Sequence, residues 1–330
     1  MKKKALPNPE IPRGTLEARG DRVAAAVILY RPDLGVLRDL IEAVLPQVER
    51  LFLLNNGAPE DIQDLDATRQ GMEVIQFGQN LGVGGALSRA PGLAKGARCP
   101  FLLTLDQDSV PAPDMVERLL EAFRTLSAQG IRVGGVGPEL IDRRSGYKAP
   151  FMAPIRGWLP RKKRGFPPTG GTMEVDNLIT SGMLAPVSVY QKAGPPRADL
   201  FIDLVDVEWS LRLRHHGYRL YGVSGAQLLH SIGDTFTSFL GRQIPVHRPL
   251  RHYYMIRNGV FLQTLPYIPV AWKLAYVLQL VKMAVFYGTF LPDRRERTRI
   301  MLKGAMDGLR GRLGACDAHR HGVSTDGKHP

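Results

Sequence analysis

Two acidic stretches hold the residues best able to do chemistry. In Leu102-Leu103-Thr104-Leu105-Asp106-Gln107-Asp108-Ser109 an apolar run stops at two carboxylates one residue apart. Side chains alternate along a strand, so Asp106 and Asp108 leave the same face. Carboxylates so placed repel each other unless a cation lies between them. Hard oxygen donors suit Mg²⁺ or Mn²⁺, which in turn suit a diphosphate. The same residues also read as a solvated loop with an Asx turn, because Ser109, Pro111 and Pro113 follow. The second stretch is Phe201-Ile202-Asp203-Leu204-Val205-Asp206-Val207-Glu208-Trp209, which runs into a basic segment ending at Gly217, a helix stop. Counted back from that glycine, Asp206 falls at the helix start, either as a cap or as a base facing a sheet edge. Glu208 and Arg212 stand at i and i+4 in the favoured order for a helix ion pair, which assigns both to structural support. His230 follows the apolar Leu228-Leu229: it is a core or turn histidine, or a third metal ligand, since neutral imidazole suits Mn²⁺.

Strands and helices alternate around these stretches. Val23-Ala24-Ala25-Ala26-Val27-Ile28-Leu29-Tyr30, stopped by Arg31-Pro32-Asp33, predicts a first buried strand. Residues 34–50 carry Leu37, Leu40, Ile41, Val44, Leu45 and Val48 at helical spacing. Leu51-Phe52-Leu53-Leu54 predicts a second strand closed by Asn55-Asn56-Gly57, and residues 72–77 a third closed by Gln79-Asn80. Gly82-Val83-Gly84-Gly85-Ala86 opens a helix towards Gly96. Its glycines follow the third strand without dinucleotide spacing, which argues against a Rossmann dehydrogenase and leaves close helix–sheet packing or a phosphate contact. Residues 101–105, 133–138 and 220–227 predict further strands, and residues 115–126 a helix with the stripe Val116, Leu119, Leu120 and Phe123. This alternation is the pattern of a parallel α/β sheet, in which ligands gather at the carboxyl ends of the strands.

The chain has 330 residues, 44% of them hydrophobic, enough for one or two domains. Its net charge of +13 attracts anions: membrane lipid, nucleic acid or phosphorylated substrates. No basic motif interleaved with aromatics and no helix-turn-helix supports nucleic acid. Cys99 and Cys316 make no disulfide framework and no Cys/His cluster has zinc spacing, which fits a reduced cytosolic setting. Residues 1–22 read as a flexible basic tail and residues 316–330 as a polar tail. Between residues 142 and 175 the composition shifts to Gly, Pro and basic residues. There Arg161-Lys162-Lys163-Arg164 is a solvated face or a contact for anionic lipid. Residues 260–291 are apolar, but Pro266, Pro269, Lys273, Gln279 and Lys282 interrupt a clean span. Lys273 and Lys282 fall on opposite helix sides, which spoils a clean amphipathic face. Trp272, Tyr276 and Tyr287 suit a membrane interface, and Arg294, Arg295, Arg297 and Arg299 an anionic leaflet. The segment is either a shallowly inserted peripheral hairpin or a helical pair packed on the rest of the chain or on a second subunit.

Taken in order, these segments resemble family-2 glycosyltransferases of the GT-A fold, most closely their bacterial rhamnosyltransferase branch, over about residues 23–258. Val27-Ile28-Leu29-Tyr30-Arg31-Pro32-Asp33 resembles the opening strand and turn, Asn55-Asn56-Gly57 the Asp-Asn-Gly segment, and Asn80-Leu81-Gly82 the Asn-x-Gly helix start. Asp106-Gln107-Asp108 is similar to the metal-binding Asp-x-Asp. Ser181-Gly182 with residues 201–212 is similar to the segment carrying the catalytic base, and Tyr253-Tyr254-Met255-Ile256-Arg257-Asn258 to a Tyr-Tyr-x-x-Arg-Asn segment. The sequence departs at Asn55, where the family often has Asp, and at Ser88, where it often has Asn. The resemblance implies an α/β GT-A-type domain over residues 23–258, a mainly parallel sheet flanked by helices, with a C-terminal helical extension over residues 259–315. It implies donor-binding by Tyr30, Asn55, Asn56, Asn80, Gly82, Asp106 and Arg257. It also implies Mg²⁺ or Mn²⁺ on Asp106, Asp108 and His230, and Asp206 as the base. The implied reaction is inverting transfer of L-rhamnose from dTDP-L-rhamnose to a lipid-linked or other glycan acceptor, for cell-surface polysaccharide, on the inner face of the cytoplasmic membrane. The alternative is a non-catalytic subunit docked in a glycan-assembly complex, against which intact Asp106, Asp108 and Asp206 argue. A homo-oligomer stays open.

Overall fold

β1 (Val23–Leu29) is buried at every residue, as a strand covered on both faces must be. In the computed structural model, which describes residues 21–57, 62, 70–155, 164–230, 235–239, 242–246 and 248–316, it lies at the centre of the parallel half of the sheet. β2 (Arg50–Asn55) and β4 (Phe101–Asp106) flank it in parallel, and β3 (Met72–Gln76) lies parallel outside β2. Ile28 stands opposite both Leu54 and Asp106, so the strands end together and their following turns share one edge.

Beyond β4 the sheet becomes mixed. β5 (Val110–Pro111), β6 (Val133–Asp142), β9 (Thr172–Val175), β10 (Met183–Pro186) and β11 (Arg219–His230) complete the order β3-β2-β1-β4-β10-β6-β11-β5, with β9 on β11. β10 runs antiparallel to β4 and β6, while β11 is parallel to β6. Two short hairpins lie off this sheet: β7 (Phe151–Met152) with β8 (Arg164–Gly165), and β12 (Thr235–Phe239) with β13 (Arg242–Val246).

The two faces of β1 feed two cores. Val23, Ala25, Val27 and Leu29 pack with α1 (Leu34–Val44) and α3 (Met115–Ala128), while Ala24, Ala26 and Ile28 pack with α2 (Gly82–Gly96), α4 (Val187–Ala193) and α5 (Val205–His215). Asp33 caps α1, its Oδ1 accepting from Gly35 N at 2.8 Å and Val36 N at 3.2 Å. The periodicity predicted helix to residue 50, but α1 ends at Val44 and a 3₁₀ turn over Leu45–Gln47 follows, where Pro46 has no N–H to continue the ladder.

The C-terminal region is three helices, α6 (Pro249–Thr264), α7 (Val270–Thr289) and α8 (Arg294–Leu309), and the apolar run at residues 260–291 holds the end of α6 and all of α7. α6 and α8 cross at glycines, since a Cβ on Gly304 would stand 2.6 Å from Tyr253 O and one on Gly308 2.4 Å from Arg257 O. Residues 1–20, most of the basic run at 161–164, and residues 317–330 lie outside the described residues.

Candidate active site

β4 delivers Asp106 to the carboxyl edge of the sheet, and β11 delivers His230 to the same place. The link is β5, whose Val110 and Pro111 pair with Leu229 and Leu228 and so fasten the chain after Asp108 beside His230. The ligand atoms of Asp106, Asp108 and His230 lie within 4.8 Å of one another. His230 Nδ1 stands 3.4 Å from Asp108 Oδ1 and 3.0 Å from Ser109 Oγ. Ser109 is fully buried and meets Ser181 Oγ at 2.6 Å, and Ser181 Oγ accepts from Asp106 N at 3.2 Å.

Burial pushes the Asp106 carboxyl up, the Asp108 charge adds to the rise, and His230 and Arg251 oppose it. Burial pushes His230 down, but its hydrogen bond to Asp108 and the charges of Asp108, Asp106 and Asp142 outweigh that and raise it overall. Two carboxylates and an imidazole converging in this way fit a divalent cation, which would relieve the repulsion between the acids.

The turns after β1, β2 and β3 surround this edge. Gln107, whose role the sequence reading missed, points away from the acids. Its Nε2 donates to Tyr30 O at 3.0 Å and its Oε1 accepts from Tyr30 N at 2.7 Å, and Tyr30 itself is 44% exposed. Asn55 Nδ2 donates to Gln76 Oε1 at 2.7 Å and its Oδ1 accepts from Gly57 N at 3.1 Å. Asn56 Nδ2 donates to Asn80 Oδ1 at 3.1 Å and its Oδ1 accepts from Leu81 N at 2.7 Å, while Asn80 Oδ1 also accepts from Gly82 N at 2.8 Å. The asparagines therefore brace the entry to α2. Gly82, at φ +71°, and Gly84 pack there against the segment ahead of α5: added Cβ atoms would lie 2.4 Å from Phe201 O and 2.3 Å from Arg197 O. Gly84 N also donates to Phe201 O at 3.0 Å. The glycines do pack closely, but against the segment ahead of α5 instead of the sheet that the spacing suggested.

That segment is strained. Phe201, Asp203 and Leu204 have φ of 66°, 63° and 61°, a conformation costly for residues with a Cβ. Leu204 is the N-cap of α5, so Asp206 is its second residue rather than the cap, and its Oδ1 accepts from Val207 N at 2.8 Å. Burial pushes the Asp206 carboxyl up to about 6; the N–H groups of Val207 and Asp206 pull it down, and the charges of Asp106 and Asp203 add to the rise. Asp206 is therefore within electrostatic reach of the metal-suited cluster.

Glu208 is fully buried and receives Arg212 Nε at 2.9 Å and Nη2 at 3.1 Å, together with the Tyr267 hydroxyl. Arg212 also donates to Ala193 O at 2.7 Å and Pro195 O at 2.8 Å, tying α5 to the exit of α4. Arg257 differs from expectation. It is 1% exposed and donates to Leu200 O at 2.8 Å, Gly314 O at 2.5 Å and Asn258 Oδ1 at 2.9 Å, so its guanidinium holds backbone inside the protein instead of facing a donor.

Residues 26–173 match the family described as glycosyl transferase family 2, a stretch that includes Asp106 and Asp108 and stops before Asp206. The chain is 26% identical over 300 residues to dTDP-rhamnosyl transferase RfbF of Shigella flexneri, covering 88% of this chain and 97% of that protein. The structure of GalNAc-T7 with UDP, GalNAc and Mn²⁺ is similar at a TM-score of 0.57 and 13% identity, over 86% of this chain and 55% of that one, so this chain spans about half its length. The 1–349 portion of S. aureus TarS in complex with UDP-GlcNAc is similar at a TM-score of 0.52 and 12% identity, over 88% of this chain and 82% of that one. The sheet order and flanking helices thus belong to the GT-A architecture, residues 26–173 match a family-2 glycosyl transferase domain, and the chain is a glycosyltransferase related to the rhamnosyltransferases.

Proposed function

We propose that the chain transfers L-rhamnose from dTDP-L-rhamnose, with inversion, to a glycan acceptor carried on lipid. The observation that carries the reading is a cation-suited trio at the carboxyl edge of the sheet, with Asp206, its carboxyl raised by burial to about 6, near enough to feel the charge of Asp106. The RfbF relative supports dTDP-rhamnose as donor, and the nucleotides and Mn²⁺ named for the structural neighbours support a diphosphate on a divalent ion. Asp106, Asp108 and His230 would hold that ion, Mg²⁺ or Mn²⁺, which supplies neutralisation of the charge developing on the diphosphate. Asp206 takes the proton of the acceptor hydroxyl. The acceptor oxygen bonds to the anomeric carbon as the bond to the diphosphate breaks, and the nucleoside diphosphate departs. Attack from the side opposite the leaving group inverts the centre and needs no protein nucleophile. The Tyr30 ring offers a stacking face to the nucleotide base. Asn55, Asn56, Asn80 and Gly82 act through the turns they fix.

α7 supports the lipid-linked acceptor and a place on the inner face of the cytoplasmic membrane. Its Val270, Leu274, Val277, Leu278, Val281 and Val285 are 44–71% exposed. At about 100° per residue they form one outward stripe, with Lys273 and Lys282 on its opposite borders. The lysines that break the pattern in sequence therefore frame it in space, as in a helix lying in a headgroup layer. α7 is long and apolar enough to cross a membrane, with a mean hydropathy of 1.3, yet Trp272, Met283 and Tyr287 are packed inward. On that inner face burial pushes the Tyr276 hydroxyl up and the charges of Asp203 and Asp206 add to the rise, which supports a stripe on the side of α7 facing away from Asp206.

The test uses the purified full chain with dTDP-L-rhamnose, UDP-GlcNAc and UDP-GalNAc, with Mn²⁺ or Mg²⁺ and a bacterial lipid-linked glycan extract as the source of acceptor, scoring nucleoside-diphosphate release. dTDP-L-rhamnose is expected to turn over fastest. Preference for a UDP-sugar would overturn the donor, and release from none would overturn the activity.

A further inference from the structure

The turn that launches α5 is held from outside the sheet domain. Asn258 Nδ2 faces three carbonyls at once: Leu200 O at 3.0 Å, Ile202 O at 2.7 Å and Asp203 O at 2.9 Å. Arg257 Nη2 donates to Leu200 O at 2.8 Å, and its Nη1 donates to Gly314 O, whose own N–H donates to Asp199 O at 2.7 Å. Tyr254 stacks on Phe201 at 5.1 Å, and Arg251 reaches Asp203 Oδ1 at 3.3 Å. One face of α6 therefore grips the run from Leu200 to Asp203, which contains the left-handed residues Phe201 and Asp203 and leads directly into the left-handed Leu204. Asn258 is fully buried. Without it, carbonyls at three positions lose a donor in a place water does not supply one. Backbone strain of this kind persists only where the surroundings over-determine it. The strained run ends two residues before Asp206.

We propose that Arg257 and Asn258 are positioning residues which fix the 199–204 turn from the C-terminal helices and thereby aim Asp206 at the Asp106–Asp108–His230 cluster. The proposal rests on the reading of Asp206 as the base. It gives the C-terminal helices a part in the reaction that is independent of any membrane, and it replaces donor contact as the use of Arg257.

The experiment follows nucleoside-diphosphate release by the full chain, with the nucleotide sugar it turns over best, for Asn258→Ala, Arg257→Lys, Asp206→Asn and the Asn258→Ala/Asp206→Asn pair. Amide exchange over residues 199–206 is measured alongside. Loosening the turn should lower kcat about 10²-fold, the scale of an ångström's misplacement, with donor KM unchanged. Exchange should quicken over the turn and not in β4. In the Asp206→Asn background Asn258→Ala should cost nothing further, because both act through one group. If Asn258→Ala does not fold, Arg257→Lys, which keeps the charge but not the planar fork, carries the same readouts. Unchanged kcat and exchange, or losses that multiply in the pair, would overturn the positioning role. Near-normal release by Asp206→Asn would instead overturn the base assignment on which it stands.

Discussion

Asp206 and Glu208 sit two residues apart on α5 and are predicted to fail in opposite ways. As a base Asp206 must be ionised, so kcat/KM, which reports the free enzyme, should rise with pH through about 6 and level off above it. The same shift acts on stability. The folded state holds the proton more firmly than the ordinary value of 3.8 allows, so ionised Asp206 costs stability, an effect absent below about pH 4 and complete above about pH 6. Asp206→Asn should therefore lose activity yet melt higher than the unsubstituted protein at neutral pH, with the gap closing near pH 4; a lower melting temperature at neutral pH would contradict this. Glu208→Gln leaves Arg212 without its buried counter-charge and should cost about 3 kcal/mol in urea unfolding. Their spacing made Asp106 and Asp108 legible as a pair, but the strand ends at Asp106 and Asp108 lies in the turn after it, so it is the turn and not strand alternation that brings the two together. Gln107 was not legible, because its partner is the backbone of a residue 77 positions earlier. The use of Arg257 was misread because a motif shows which residues stand together and not whether their polar atoms face a cleft or the interior.

At the scale of elements the glycines of α2 matter most. Gly84→Ala would drive a Cβ to 2.3 Å from Arg197 O and push back the segment that carries the strained turn. The expected cost is about 1–3 kcal/mol with a clear loss of rate. Gly92→Ala in the same helix meets nothing within 4 Å and should be neutral or stabilising, by up to about 1 kcal/mol. Chemical denaturation and turnover of the two variants check the contrast; equal effects would deny the contact its importance. The strands β1, β2 and β4 were readable because they are continuous apolar runs between turn signals. β10 is four residues long and offers no period to detect. α6 was hidden because its buried side includes His252, Arg257 and Asn258, polar residues whose partners lie far along the chain, His252 on Arg297 of α8 and the other two on the 200–203 turn, so no apolar stripe marks it.

For the whole molecule, the net charge of +13 and the framed apolar stripe of α7 act together. Flotation with vesicles containing phosphatidylglycerol should recover the protein at low salt, less at high salt, and less again for Val281→Glu in the middle of the stripe; recovery indifferent to salt and to that substitution would reject the docking face. Composition announced the attraction to anions, but only the fold shows that Lys273 and Lys282 border one face instead of interrupting it. The central claim joins the carboxyl edge of the sheet to sugar transfer through a bound cation. Its most direct test is nucleoside-diphosphate release as a function of Mn²⁺ concentration, for the unsubstituted chain and Asp108→Ala. The account predicts no release in excess chelator, saturable recovery as the ion is restored, and a weakened, displaced response for Asp108→Ala. Full release in excess chelator, unaltered by Asp108→Ala, would contradict it.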